Sequence, residues 1–307
     1  MSALTSGGGG YRRRLLLTVA VLCVLAASAA AAADDCAPAA GSGETPRLAA
    51  INWGLTQTLV ALGIEPVAVA DAPGYRKWVS APPLPASSVD IGRRVEPNLA
   101  VLAGTGPDLV LMSSFYDELA HELGQIVPVL TLDIYQPGGM PLVRARDVAA
   151  CLARRFHREA ALERLEQRLA DAVDALAAVA REQHLDRPVY VVQFRDAGHL
   201  RVYGDNSLFG GVLQEAGLAN AWRGATNFWG FSTTAFTELT GPAGLLIIVG
   251  PVPREAVAMM SDSPIWRALP AAASGRVARI DPVWAYGGVP SAIRFAGQLE
   301  AVLREPG

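Results

Sequence analysis

The side chains with most to say are aromatic, and they stand beside turn residues. Trp78 lies in Tyr75-Arg76-Lys77-Trp78-Val79-Ser80, and Trp222 and Trp229 lie in the segments 220–224 and 226–230. Trp284 and Tyr286 lie in 283–287, and Tyr116 follows an apolar run that ends at Met112. An indole or phenol in a loop offers a broad apolar face with one polar tip, which suits a ligand of mixed surface. Any one of these rings reads equally well as the cap of a core. Several of them, in loops of both halves of the chain, read better as the lining of a site.

Residues for other chemistry do not assemble. His121, His157, His184 and His199 form no pair at metal-ligand spacing, and CxxC, HxxxH and HExxH motifs are absent. No GxSxG elbow, Walker loop or GxGxxG follows a strand pattern, and the glycines at 7–10 belong to a leader. No catalytic residue, resident metal or cofactor is therefore singled out, and nothing points to an enzyme. A secreted hydrolase would need a triad that is not visible. The net charge of −3 leaves no basic excess for a phosphate backbone, so no nucleic-acid partner is expected.

The first 33 residues read as a cleaved signal peptide. Arg12, Arg13 and Arg14 supply the positive region, 15–27 is apolar, and the alanines at 29–33 offer A-x-A cleavage sites before Asp34. The apolar stretch is short for a membrane span, and the arginines followed by Leu15 and Leu16 also suit a twin-arginine signal. The protein is thus expected in the periplasm. Cys23 leaves with the signal, and neither Cys23 nor Cys36 has the setting of a lipid-modified cysteine. Cys151 shares a helical face with Val148 and Leu152 and reads as a small core residue. A bridge from Cys36 to Cys151 stays open in an oxidising compartment.

The elements that must position the aromatic loops follow from periodicity. Of the 307 residues, 51% are hydrophobic, enough to build a sizeable core and two domains of ordinary size. After a linker at 34–46, strands are predicted at 48–53, 67–70, 109–112 and 127–131, with a helix at 56–62, a Pro-rich surface stretch at 72–85 and His121 on a short helix. Between 143 and 183 there is no strand signal. Helices are predicted at 146–156 and 159–183, the second free of Gly and Pro, with Leu162, Leu165, Leu169, Val173, Leu176 and Val179 on one face. At 1.5 Å per residue the second spans roughly 37 Å, the width of a small lobe, and reads as a stiff connector. Alternation then restarts, with strands at 189–194, 200–203, 245–249 and 277–280 and helices at 207–216, 253–260, 265–269 and 291–304. This gives an N-terminal α/β lobe at 47–158, a connecting helix at 159–184 and a C-terminal α/β lobe at 185–307.

Four stretches carry a family resemblance: 75–85, 90–99, Asn206-Ser207-Leu208-Phe209 and 220–230. They resemble the periplasmic iron(III)-hydroxamate-binding proteins of siderophore ABC importers, in the same order over nearly the whole mature chain. The resemblance implies two α/β lobes joined by one long rigid helix, the helical-backbone (class III) type of periplasmic binding protein. A shallow cleft between lobes that move little would hold a ferric hydroxamate siderophore of the ferrichrome kind. The partners implied are that siderophore and an inner-membrane ABC permease, with the protein itself a monomer.

Residue by residue, the resemblance assigns hydroxamate binding to Arg94, from the Gly-x-Arg-x-Glu-Pro-Asn segment, and to Tyr116. It assigns cleft walls to Trp78, Trp222, Trp229, Trp284 and Tyr286. Met112 stands where a Trp is expected, which touches ligand preference. Permease docking through one acid per lobe would fall on Glu238 in the second lobe. In the first, Ala100 replaces the expected acid and Glu96 is the substitute. The chemistry is coherent. Hydroxamates supply all six oxygens to Fe(III), so the protein needs donors to those oxygens and not metal ligands. A guanidinium forks onto two oxygens and a phenol donates one more bond. Taken alone, Arg94 reads as a surface ion pair with Glu96. The alternatives are another large chelate on the same scaffold: a catecholate siderophore, for which Arg94 is one arginine where several are wanted; haem, for which Tyr116 would be the axial ligand; or a corrinoid.

Overall fold

The computed structural model describes residues 36–37, 46–241 and 244–304. The expected signal peptide, with Cys23 and the arginines, and most of the linker lie outside the described residues. The first sheet is built from β1 (Leu48–Ala50), β2 (Ala68–Val69), β3 (Val89–Asp90), β6 (Leu109–Met112) and β7 (Val129–Thr131). Its order is β3-β2-β1-β6-β7 and every pairing is parallel. A small antiparallel hairpin, β4 (Gly92–Arg93) and β5 (Glu96–Pro97), carries Arg94 and Val95 at its tip. The second sheet uses β8 (Val189–Phe194), β9 (His199–Tyr203), β10 (Phe231–Ala235), β11 (Leu245–Val249) and β12 (Val277–Ile280), in the order β10-β9-β8-β11-β12. Here β8, β11 and β12 are parallel, and β9 and β10 run antiparallel at one side.

Among the described residues, five α-helices precede the connector: α1 (Trp53–Ala61), α2 (Ala72–Trp78), α3 (Leu99–Gly104), α4 (Ala120–Gly124) and α5 (Pro141–Arg155). The connector is α6 (Glu159–Glu182). After it come α7 (Leu208–Glu215), α8 (Arg254–Asp262), α9 (Pro264–Ala268), α10 (Pro270–Ala273) and α11 (Val289–Arg304). All of the first sheet precedes α6 and all of the second follows it, so the fold is two α/β lobes joined by one long helix.

Side chains alternate across each strand, and each sheet therefore serves two cores. In β1, Leu48 and Ala50 enter a large central core, while Ala49, and Ile51 just after the strand, enter a second core with Val110 and Met112. In β8, Val189 and Val191 point to the same central core, and Tyr190, Val192 and Phe194 point to a third. The central core is continuous between the lobes. It takes in Leu55 and Leu59 of α1, Leu142 and Leu152 of α5, Leu165, Leu169, Val173 and Leu176 of α6, Phe209 of α7 and Phe295 and Leu299 of α11. Polar staples cross the same seam. Buried Gln57 of α1 accepts from the Gly288 amide at 3.0 Å and the Ser291 hydroxyl at 3.0 Å, and donates to the Ala81 carbonyl at 2.7 Å. Arg146 of α5 binds Glu215 of α7 through two nitrogens, at 2.7 and 2.9 Å, and lies 3.2 Å from Glu166 of α6. Lobes that share a close-packed core resist hinge motion.

Three expectations change. The 48–53 strand ends at Ala50, because Asn52 caps α1 by accepting from the Gly54 and Leu55 amides, and Trp53 is helical. The Pro-rich stretch holds α2, with proline in the first turn and Asp71 as cap, its side chain accepting from the Gly74 amide. Cys151 is buried as expected but is disulfide-bonded, as is Cys36; neither is a plain thiol.

Candidate functional site

In parallel α/β sheets, ligands meet the loops at the carboxyl ends of strands. Six strands of this protein deliver such loops to one cleft. β1 leads to Asn52 and Trp53, β6 to Ser113, Phe115 and Tyr116, and β7 to Asp133 and Tyr135. From the other lobe, β8 leads to Arg195, β11 to Pro251 and Val252, and β12 to Trp284 and Tyr286. Three adjoining recesses of about 160, 390 and 570 Å³ share Asn52, Arg94, Phe115, Arg201, Trp229, Trp284 and Tyr286 between neighbours. Together they make room for a ligand of several hundred Å³.

The cleft forms around Arg94. Its guanidinium lies over the Trp53 ring, 3.7 Å from the centroid, and 5.5 Å from that of Trp284. Trp53 is itself fixed: it is buried, its indole N–H donates to the Ala70 carbonyl at 2.9 Å, and its ring meets Trp284 edge-on at 4.8 Å. One Arg94 nitrogen donates to the Tyr116 hydroxyl at 3.3 Å, and Nε lies 3.9 Å from the Asp71 carboxylate. Stacking between aromatics and a carboxylate on one edge hold the guanidinium in place before a ligand arrives. The competing reading, a pair of Arg94 with Glu96, does not form; exposed Arg93 takes Glu96 at 3.1 Å.

Tyr116 is 5% exposed, and burial pushes its ionisation upward, opposed in part by the charge and hydrogen bond of Arg94. It therefore stays a phenol, accepts from Arg94 and keeps its own O–H to donate. Tyr286 is raised by burial as well, with Arg201 the main opposing charge.

Trp229 gathers the opposite wall. Its ring lies 5.4 Å from Phe115, 5.5 Å from Tyr135 and 5.4 Å from Tyr286, so rings from both lobes meet at one point. Tyr135 locks the seam beneath, donating to the Ala285 carbonyl at 2.7 Å. Gly54 belongs to the same seam: a Cβ there would fall 2.9 Å from the Tyr286 carbonyl, so only glycine lets α1 approach that loop.

Of the residues expected from sequence, Arg94, Tyr116, Trp78, Trp229, Trp284 and Tyr286 come together in this cleft, Tyr116 from a buried position and Trp78 at the outer recess under Lys77. Met112 and Trp222 do not. Met112 is fully buried under the first sheet, because its position in β6 faces the second core. Trp222 packs on the third core and donates to the Ser232 hydroxyl at 3.2 Å. Residues not anticipated are Asn52, Trp53, Asp71, Phe115, Tyr135, Phe231, Arg195 and Arg201. Arg201 had a visible signal: a charged residue between Leu200 and Val202 in an apolar strand. Its guanidinium stacks 4.7 Å over the Phe231 ring.

Two lobes that share a rigid seam and open their strand ends onto one aromatic cleft describe a periplasmic binding protein. The model of that family matches residues 48–283, and the chain belongs to it. Its periplasmic location follows. Among its relatives, the iron(3+)-hydroxamate-binding protein FhuD of Escherichia coli K12 is 34% identical over 256 residues, which is 83% of this chain and 86% of that protein. The achromobactin-binding periplasmic protein of Dickeya dadantii is 30% identical over 181 residues, 56% of this chain and 55% of that one. Among solved structures, FhuD of Vibrio cholerae with bound Fe3+-Desferal matches with a TM-score of 0.79 and 29% identity, covering 85% of this chain and 99% of the other.

Proposed function

We propose that this protein captures ferric hydroxamate siderophores in the periplasm and delivers them to an inner-membrane ABC permease. One observation carries the reading: Arg94, laid on Trp53 and tied to Tyr116, presents oriented donors at the floor of an aromatic cleft. Three hydroxamates satisfy Fe(III), yet their oxygens keep partial negative charge and accept from such donors. Trp229, Trp284 and Tyr286 meet the siderophore backbone, with Trp78 at the outer end. The likeness to FhuD proteins over most of both chains supports the ligand class. The carrier works as a monomer, is exported by a cleaved signal peptide through the twin-arginine route, and engages its permease through exposed Glu238, which lies in the 3-10 turn Phe236–Glu238. Glu96 is the docking acid of the first lobe, although its ion pair with Arg93 offsets its charge.

The catecholate alternative gains ground in one respect. Arg195 and Arg201 line the cleft together with Arg94, so an argument from a lone arginine does not hold. Titration of the intrinsic tryptophan fluorescence with ferric desferrioxamine B tests the main reading, with a ferric tris-catecholate as control. Saturable quenching at micromolar or lower concentration by the hydroxamate is expected. No quenching by it, or quenching by the catecholate alone, rejects the reading.

A further inference from the structure

The outer recess collects positive charge on a protein whose net charge is negative. Lys77, Arg94, Arg195 and Arg201 line it, with Asp71 as the one carboxylate. Asp71 lies beside Arg94. No ion pair engages Arg195 or Arg201 among the described residues, and the Arg201 Nε is buried there without a hydrogen-bond partner. A guanidinium drawn partly out of water with no acceptor is unfavourable unless a ligand supplies one. Three hydroxamate anions already neutralise Fe(III), so a plain ferric trihydroxamate gives this second wall nothing to bind beyond the partial charge that Arg94 reads.

We infer that Arg201, with Arg195 beside the recess, forms a carboxylate subsite that selects ferric hydroxamates bearing a pendant carboxylate. This rests on the hydroxamate reading. The geometry suits it: Arg201 and Trp284 border both the Arg94 recess and the outer one, so a chelate held on Arg94 and Tyr116 extends its free end along the second wall. The Phe231 ring, 4.7 Å from the Arg201 guanidinium carbon, orients the group, and the two terminal nitrogens are the pair that would fork onto carboxylate oxygens. Arg195, more exposed, adds a screened attraction. Tyr286 registers the charge of both arginines, Arg201 more strongly.

The test uses three ferric complexes that differ at one chain end: desferrioxamine B (ammonium), its N-acetyl derivative (neutral) and its N-succinyl derivative (carboxylate). Each is titrated by tryptophan quenching into the mature wild-type protein and into the Arg195→Gln/Arg201→Gln double variant. The carboxylate complex is expected to bind the wild type about tenfold tighter than the neutral one, the ammonium complex weakest, and the spread to shrink in high salt. In the double variant the spread falls to within about twofold. Equal affinities in the wild type, or an unchanged spread in the variant, overturns the inference alone. If none of the three binds the wild type, the hydroxamate reading falls and takes the subsite with it. An Arg195→Lys/Arg201→Lys variant, which keeps charge and bulk, retains the order of affinities; loss of that order there contradicts a charge-reading subsite.

Discussion

On one wall of the cleft, Arg94 lies 3.7 Å over Trp53, 3.3 Å from the Tyr116 hydroxyl and 3.9 Å from Asp71. On the other, Arg201 stacks on the Phe231 ring, and its Nε meets no acceptor among the described residues. The first guanidinium is oriented and partly neutralised by the protein's own groups. The second is oriented on one face and left uncompensated. A donor fixed in advance suits the part of a ligand that does not vary, here the oxygens around iron, because little ordering remains to be done on binding. An uncompensated charge suits the part that does vary, because its benefit depends on what the ligand brings.

The sharpest way to break this contrast is Arg94→Ala. It removes the fixed donors and is expected to weaken a neutral ferric trihydroxamate about 100-fold, with circular dichroism and melting unchanged. If Arg201→Ala weakens the same neutral complex as much, the two walls do not differ in kind. Next comes the seam that sets the distance between them. Gln57→Leu strands the Gly288 amide, the Ser291 hydroxyl and the Ala81 carbonyl, and is expected to cost about 2 kcal/mol in urea unfolding. A neutral result there would mean that the apolar core alone holds the lobes. Tyr116→Phe deletes one donor of the first wall and is expected to weaken the neutral complex about fivefold, worth about 1 kcal/mol. A change in preference between neutral and carboxylate complexes would instead assign Tyr116 to the reading of charge.

The smallest effect concerns pH. Burial raises both Tyr116 and Tyr286 above the ordinary phenol value, so neither ionises near neutrality. No histidine lines the cleft recesses. Affinity for a neutral complex is therefore expected to vary less than about twofold between about pH 6 and 8.5. Stability behaves differently at the alkaline end. Tyr75, Tyr135 and Tyr203 are all raised by burial, so the folded state holds protons that the unfolded chain releases above the ordinary phenol value. Stability falls as pH rises through that window, and denaturant midpoints across it check the sign.

The two lobes were not equally legible in the sequence. β6 and β11 lie where their unbroken apolar runs place them, because strands covered on both faces need no alternation, and β8 and β12 lie where their mostly apolar runs do. The connector α6 was visible from its heptad-like stripe, which the structure buries against α11 and α5. β10 was not: Phe231–Ala235 is a half-covered outer strand of Ser and Thr, with no apolar run to announce it. α2 was masked by Pro73 and Gly74, which read as breakers but occupy the first turn. In the site, Trp229, Trp284 and Tyr286 stood out because large rings beside turn residues are conspicuous. Trp222 has the same chemistry, and Met112 stands where the resemblance expects a Trp, but both point to cores, a matter of strand parity and loop path that composition does not encode. Trp53 escaped notice because it sits one residue past a helix cap, inside what reads as a strand.

The uninterrupted core through α6 has a consequence for traffic. In the proposed delivery role, a carrier whose halves share one core keeps nearly the same outline with and without cargo, and the proposed docking acids Glu96 and Glu238 keep the same spacing. On that reading, unloaded carriers are expected to compete with loaded ones for the permease. Uptake is then expected to follow the fraction of carrier that is loaded, and import assays with the carrier overproduced at scarce iron check it by a slower rate.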